Sequence, residues 1–282
     1  MQFTNSVTSL IRERKSKRTY AKKELSNELI DKIQQFLNEN NIGPFGNQVK
    51  FSLIKKDFAE ENQKVKIGTY GFISGALYFI AGEVKNNPFC FEDFGFLLEK
   101  IILHLTELNL GTCWLGGTFS RSIISEILNS ESDTIIPAIT PVGYIANSKT
   151  IRENIIRWAA KSNNRLDWIM LFFINNFSNP ITKEEVSEYE KPLEMVRLAP
   201  SASNKQPWRI IKMKDDFHFF LKRNSGYGMF GLVDLQRIDM GIAISHFDLT
   251  CKELGLNGKW EICNPLIDQV ADVEYIASWR IL

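Results

Sequence analysis

The chain has 282 residues, 44% hydrophobic and 24% charged, with a formal net charge of +1. That balance belongs to a globular protein with a well-filled core and room for one large or two ordinary domains. It gives a nucleic-acid partner no global electrostatic support, and four Cys and three His without C-x-x-C spacing are too scattered for a zinc site. Cys90, Cys113, Cys251 and Cys263 read as buried thiols in a reducing compartment. Arg12, Glu13, Arg14 and Lys15 stand where a signal peptide needs its apolar core. The longest uncharged run, Thr69 to Gly82, is too short to span a bilayer. No membrane partner is expected, and a cytoplasmic location is.

The first twenty residues read as an amphipathic helix ending in Arg14-Lys15-Ser16-Lys17-Arg18. That cationic run is either a solvated face or a grip for a phosphate, with Arg bidentate and Lys a point charge. Ser26 to Asn38 is a helix with Ser26 as N-cap, Glu28 in the first turn and a Leu29, Ile30, Ile33, Phe36, Leu37 stripe. A Pro44-Phe45-Gly46-Asn47-Gln48 loop and a strand over Val49–Ile54 follow, then a strand plus loop within Thr69–Gly82. Phe91–Leu110 is a long apolar helix closed by Gly111, and Ser122–Leu128 a short one. Ile135–Ile145 is a strand containing Pro137 and Pro141, hence expected at a sheet edge or irregular. Asn147–Arg165 is polar and basic, Leu166–Ile174 apolar, and Asn175–Thr182 has the composition of a linker.

Leu193–Leu198 reads as a helix that Pro200 stops, because Pro biases the preceding residue away from the helical region. The loop beyond it runs Pro200-Ser201-Ala202-Ser203-Asn204-Lys205-Gln206-Pro207-Trp208 before a strand that starts near Ile210. Its donors suit a ligand rich in acceptors, a phosphate ester or a flat heterocycle, although short polar connections are common.

In Pro200, Ser201, Asn204, Gln206, Pro207 and Trp208 the loop resembles the P-S-x-x-N-x-Q-P-W segment of the FMN-dependent nitroreductases. The cationic run resembles the same family's R-x-S-x-[RK] motif in Arg14, Ser16 and Arg18, with Lys15 inside it and the aromatic Tyr20 after it. The resemblance implies that Arg14, Lys15, Ser16 and Arg18 bind the FMN phosphate and ribityl chain. It implies that Pro200, Ser201, Ala202, Ser203 and Asn204 lie against the flavin, and that backbone at Leu115, Gly116 and Gly117 approaches the ring. Lys161 and Arg165, with Arg152 behind them, are the candidates for further phosphate-binding cations.

The second half repeats the first. Moving residues 93–114 by 146 positions pairs Asp93 with Asp239, Gly95 with Gly241, Leu103 with Leu249 and Glu107 with Glu253. It also pairs Leu108 with Leu254, Leu110 with Leu256 and Trp114 with Trp260. Periodicity alone would repeat the Leu positions, not the Asp, Gly, Glu and Trp, so the chain reads as a duplication. The halves are expected at 1–174 and 183–282. Nitroreductases are generally intertwined homodimers, so the resemblance implies an α+β, nitroreductase-like fold with two similar halves around mixed or antiparallel sheets. The expected particle is a monomer acting as its own pseudo-dimer.

One flavin per chain is expected. The second copy of the cationic motif, Ile181 to Tyr189, carries Glu184, Glu185 and Glu188, which would repel a phosphate. The Pro44 loop lacks the Ser residues, and Leu254-Gly255-Leu256-Asn257-Gly258 lacks the Gly-Gly pair. The implied activity takes electrons from NAD(P)H through flavin N5 to a nitroaromatic, a quinone or a flavin, with no catalytic side chain named and no metal. A G-x-G-x-x-G after a strand and a placed nucleophile with His and acid are both missing, so neither a Rossmann domain nor hydrolysis is implied. An FMN-binding sensor or storage protein would use the same residues, and a scaffold that has lost its cofactor is the third reading.

Overall fold

The computed structural model describes residues 3–56, 72–146, 164–265, 267 and 270–282. Its helices are α1 (Val7–Glu13), α2 (Asn27–Glu39), α3 (Cys90–Glu107), α4 (Arg121–Leu128), α5 (Glu190–Leu198) and α6 (Leu235–Glu253). In the first half the strands are β1 (Val49–Lys55), β2 (Tyr78–Lys85), β3 (Gly111–Thr112), β4 (Thr134–Ile135) and β5 (Ile139–Gly143). The remainder are β6 (Phe172–Ile174), β7 (Trp208–Met213), β8 (Asp216–Lys222), β9 (Met229–Phe230), β10 (Val233–Asp234), β11 (Gly258–Glu261) and β12 (Val273–Ile281).

Two sheets flank a central pair of helices. The first runs β1-β2-β5-β3, with β4 beside β2, and is antiparallel throughout. The second runs β11-β12-β8-β7-β6 and is antiparallel except for β6, which joins β7 in parallel. Together they form an internal pseudo-dimer of α+β halves. Phe172–Ile174 therefore hydrogen-bond into the second sheet although they precede the linker.

The matched glycines of the two halves meet where α3 and α6 cross. A Cβ on Gly95 of α3 would overlap the Ile238 carbonyl oxygen of α6, and a Cβ on Gly241 of α6 would overlap the Glu92 carbonyl oxygen of α3. Ile238 and Glu92 are themselves 146 positions apart, so the contact is reciprocal. Glycine is required here for close approach of two backbones.

Helix α1 packs on that pair of helices and cannot be symmetric. Val7, Leu10 and Ile11 pack with the duplicated Leu103 and Leu249 and with Met195. Glu107 accepts from the Thr4 and Asn5 amides at 2.8 Å each, and Glu253 accepts from the Thr8 amide at 2.9 Å and the Ser6 hydroxyl at 2.5 Å. Both copies of one glutamate thus hold the same N-terminal segment.

Several expectations are corrected. The first helix ends at Glu13, and the cationic run after it is extended, with Ser16 bridged in parallel to Thr112. The strand expected within Thr69–Gly82 runs Tyr78–Lys85, because Gly82 passes beneath the Phe51 and Phe94 rings and lets the chain continue. The strand with two prolines is irregular, as one alternative had it, broken around Pro137 into β4 and β5, but it is not at an edge: β5 lies between β2 and β3. Pro141 leaves its mark there as a gap in the β3 ladder. Pairing stops at Thr112 and resumes at Leu115 with Ile139, while the Cys113 amide bonds Thr140 Oγ1 at 3.1 Å. Of the four cysteines, Cys263 is exposed and the others are buried. Among the described residues no helix is long and apolar enough to cross a membrane.

Substituting Gly95 or Gly241 by Ala should push α3 and α6 apart and lower stability by at least about 2 kcal/mol, the upper range for overpacking a core. Urea unfolding measures it, and an unchanged midpoint would mean that the crossing relaxes freely.

Candidate functional site

A cavity of about 510 Å³ opens between the halves. One wall is the first half: the end of α1, the extended cationic run, Trp114, Gly116 and Ala138. The other is the second half: Leu198, Pro200 through Asn204 and the first two turns of α6. Arg165 closes the junction. Arg14, Lys15, Ser16, Arg18, Gly116, Arg165, Pro200, Ser201, Ala202, Ser203 and Asn204 all line it.

Two sequence candidates, Leu115 and Gly117, are not among the lining residues. The Leu115 backbone, expected near the ring, is paired with Ile139 through both its amide and its carbonyl at 3.0 Å, and its buried side chain belongs to a first-half core cluster with Tyr20 and Phe79. Gly117 sits under the Phe230 ring, where a Cβ would come within 2.5 Å. Lys161, like Arg152, lies outside the described residues.

The loop after α5 departs from helix as its proline dictates: Ala199 has φ −56° and ψ 145°. It then holds Ser203, Asn204 and Gln206 in the left-handed region at φ 48°, 57° and 50°. Non-glycine residues persist there only where their surroundings over-determine them. The surroundings do so. Ser201 Oγ accepts from the Gln206 amide at 2.8 Å, Gln206 Oε1 from the Leu166 amide at 2.8 Å, and Asn204 Oδ1 from Arg165 at 3.1 Å. Tyr227 donates to Ser203 Oγ at 2.8 Å. The amide side chains of the motif are therefore spent on shaping the loop, and Gln206, 3% exposed, is a brace and not a lining residue.

Electrostatics set the character of the cavity. Among the described residues Arg12, Arg14, Lys15, Arg18 and Arg165 line it, against a single acid, Asp239. Arg165 is pushed down to about 10, first by burial and then by the nearby Arg14 and Arg197 charges. Like charges gathered on one cavity wall favour an anionic ligand there. Arg14 Nε lies 3.5 Å from Glu99, which accepts from Trp114 Nε1 at 2.7 Å and faces His246 Nε2 at 3.0 Å. Glu99 thereby ties the cationic run to both halves.

Sequence reading missed Asp239, Trp114, Ile238 and Ile242 as lining residues. Asp239 and Trp114 carried a signal, since both belong to the duplicated set. Arg121 was missed too: it donates to the Gly116 and Pro137 carbonyls and fixes the glycine loop. At the pseudo-symmetric position the geometry differs. Asp93 accepts from the Phe45 and Asn47 amides and from Asn47 Nδ2, all within 2.9 Å, and Phe45 packs on Phe89. The Pro44 loop is thus drawn down onto its helix.

A family model described as Putative TM nitroreductase matches residues 6–251. A putative nitroreductase from Thermotoga maritima is 19% identical, with a TM-score of 0.63 over 100% of this chain and 96% of that chain. That likeness shows the fold. A Putative NADH dehydrogenase/NAD(P)H nitroreductase from Bacteroides thetaiotaomicron is 20% identical, covering 52% of this chain and 91% of that one with a TM-score of 0.43. A nitroreductase family protein from Clostridium novyi is 18% identical, covering 51% and 87% with a TM-score of 0.42. No curated protein matches the chain.

Replacing Gln206 by Ala removes the acceptor for the Leu166 amide and a donor to the Asn204 carbonyl. It should cost about 1–3 kcal/mol in urea unfolding, and a loss below about 0.5 kcal/mol would show that the loop holds its left-handed residues without this brace.

Proposed function

The chain belongs to the TM nitroreductase family, an oxidoreductase family, and from that premise we propose that it is an FMN-dependent oxidoreductase. It would draw electrons from NAD(P)H and pass them to an electron-poor small molecule such as a nitroaromatic, a quinone or a flavin. The observation that carries this reading is the convergence of five cations with the Ser201–Asn204 loop and Gly116 on one cavity. Its volume falls in the range of cofactor sites. When bound, FMN supplies the hydride and electron chemistry.

The residues of this chain would bind, orient and shield it. Arg14, Ser16 and Arg18 would hold the phosphate and ribityl chain, with Lys15 and Arg165 adding charge. Lys161 stays a candidate for the same task. The Pro200–Asn204 backbone and Gly116 would flank the ring, while Trp114, Leu235, Ile238 and Ile242 exclude water from it. Arg12, the remaining cation of the lining, would favour a reduced, more anionic ring.

In this reading the halves are 1–174 and 183–282, with Phe172–Ile174 lent to the second sheet. Each chain holds one FMN, because Asp93 and Phe45 bring the Pro44 loop down where the second cofactor would lie. The protein is a cytoplasmic monomer, the homodimer interface of its relatives having become internal.

Purified protein should be yellow and yield about one extractable FMN per chain. NAD(P)H without oxygen should bleach it, and an added quinone should restore the colour; binding without bleaching would leave a flavin-storing protein. Arg14→Ala with Arg18→Ala should weaken FMN binding by about 3–6 kcal/mol in a fluorescence titration, as two charged hydrogen-bonding groups are lost. Unchanged affinity would remove the cationic run from the site.

A further inference from the structure

Asp239 is the acid in a cavity of cations, yet among the described residues it forms an ion pair with none of them. It is 2% exposed. Its Oδ1 accepts from the Ala202 amide at 2.9 Å, and its Oδ2 has no hydrogen-bond partner among the described residues. A buried carboxylate left in that state would be costly. The duplication supplies a comparison inside the same molecule. Asp93, its counterpart on α3, also reaches back to the loop of its own half, but its two oxygens take three donors from Phe45 and Asn47. The duplicated aspartate therefore does two different things. In the closed position it is saturated by its own loop. In the open position it takes one donor, and the second oxygen remains for something else.

We propose that Asp239 is a ligand-contacting residue that carries a proton on Oδ2 and donates a hydrogen bond to a carbonyl or ring-nitrogen acceptor of the molecule in the cavity. Resting on the flavin reading, the inference adds an acceptor-rich heterocycle edge at α6 to the phosphate held by the cations. The charged groups around it agree with a neutral acid. Burial pushes Asp239 well above the usual carboxylate range, and Asp234 at the start of α6 adds to the push. Tyr227, which bonds Ser203 in the loop that Asp239 holds, is pushed up chiefly by burial. Across the helix crossing Glu92 is paired with Arg237, which also binds Glu274 and so has its charge engaged.

The test compares Asp239→Asn and Asp239→Ala for FMN affinity by fluorescence quenching, with infrared difference spectra of FMN addition to the intact protein in H₂O and D₂O. Asn can keep the Ala202 contact through its oxygen and donate through its nitrogen. The expected result is affinity within about threefold of wild type for Asn and a loss of at least tenfold for Ala. In wild type a protonated-carboxyl band should shift on FMN addition and in D₂O, and in the Asn variant it should be missing. An Asn variant as weak as Ala, or wild type without such a band, would overturn the proton on Oδ2. An Ala variant that binds like wild type would overturn the contact while leaving the flavin reading intact. Wild type that takes up no FMN would end both.

Discussion

The close crossing of α3 and α6 at Gly95 and Gly241 is the constraint on which the rest depends. Backbone meets backbone there, each glycine against a carbonyl of the other helix. Any side chain would spread the helices and with them the two sheets that each half lays on its own helix. The cavity lies between the halves, so its width is set by that crossing. Its second wall is α6 itself, through Ile238, Asp239 and Ile242 on either side of Gly241. Packing and site are thus the same contact seen from two faces.

Glu99 extends the coupling. It is fully buried on α3, accepts from Trp114 and sits beside Arg14 in the first half, and meets His246 of α6 in the second. His246 Nδ1 faces the Met195 carbonyl at 2.8 Å while Nε2 faces the Glu99 carboxyl. Both ring nitrogens face acceptor oxygens, so a second proton must be shared between the imidazole and the carboxyl for both bonds to form. A buried polar bridge of this kind is strongly orienting, because every alternative leaves an unpaired group in a low-dielectric interior. It holds Arg14 at the cavity wall and the two long helices in one register.

The loop after α5 shows how strain is carried. Three non-glycine residues in the left-handed region cost on the order of 1–3 kcal/mol each. They are offset by a closed set of hydrogen bonds among Ser201, Asn204, Gln206, Arg165 and the Leu166 amide. The side chains that look in sequence like ligand donors are the ones that hold the backbone in this shape. What the loop presents to the cavity is therefore mostly shape and backbone, while most of the charge lies on the opposite wall.

Much of this could be read from the chain alone. Ser26 caps α2, the apolar stripes became buried helix faces, and Pro200 ended its helix, because each depends on neighbours a few residues away. The likeness of the two halves was legible because seven identities stand over 22 positions, and the Gly pair meets in a reciprocal backbone contact that leaves no room for a side chain. The sequence could not say that β5 is central despite Pro141, since the missing amide matters only relative to which neighbour it faces. Nor could it say that Leu115 turns inward, that Gln206 braces its loop and leaves the lining to its neighbours, or that Phe172–Ile174 cross to the other sheet. Above all, Asp93 and Asp239 are identical letters at equivalent positions. Their different fates are decided by whether a loop closes over the oxygen or a cavity opens beside it, and that depends on the packing of residues far away along the chain.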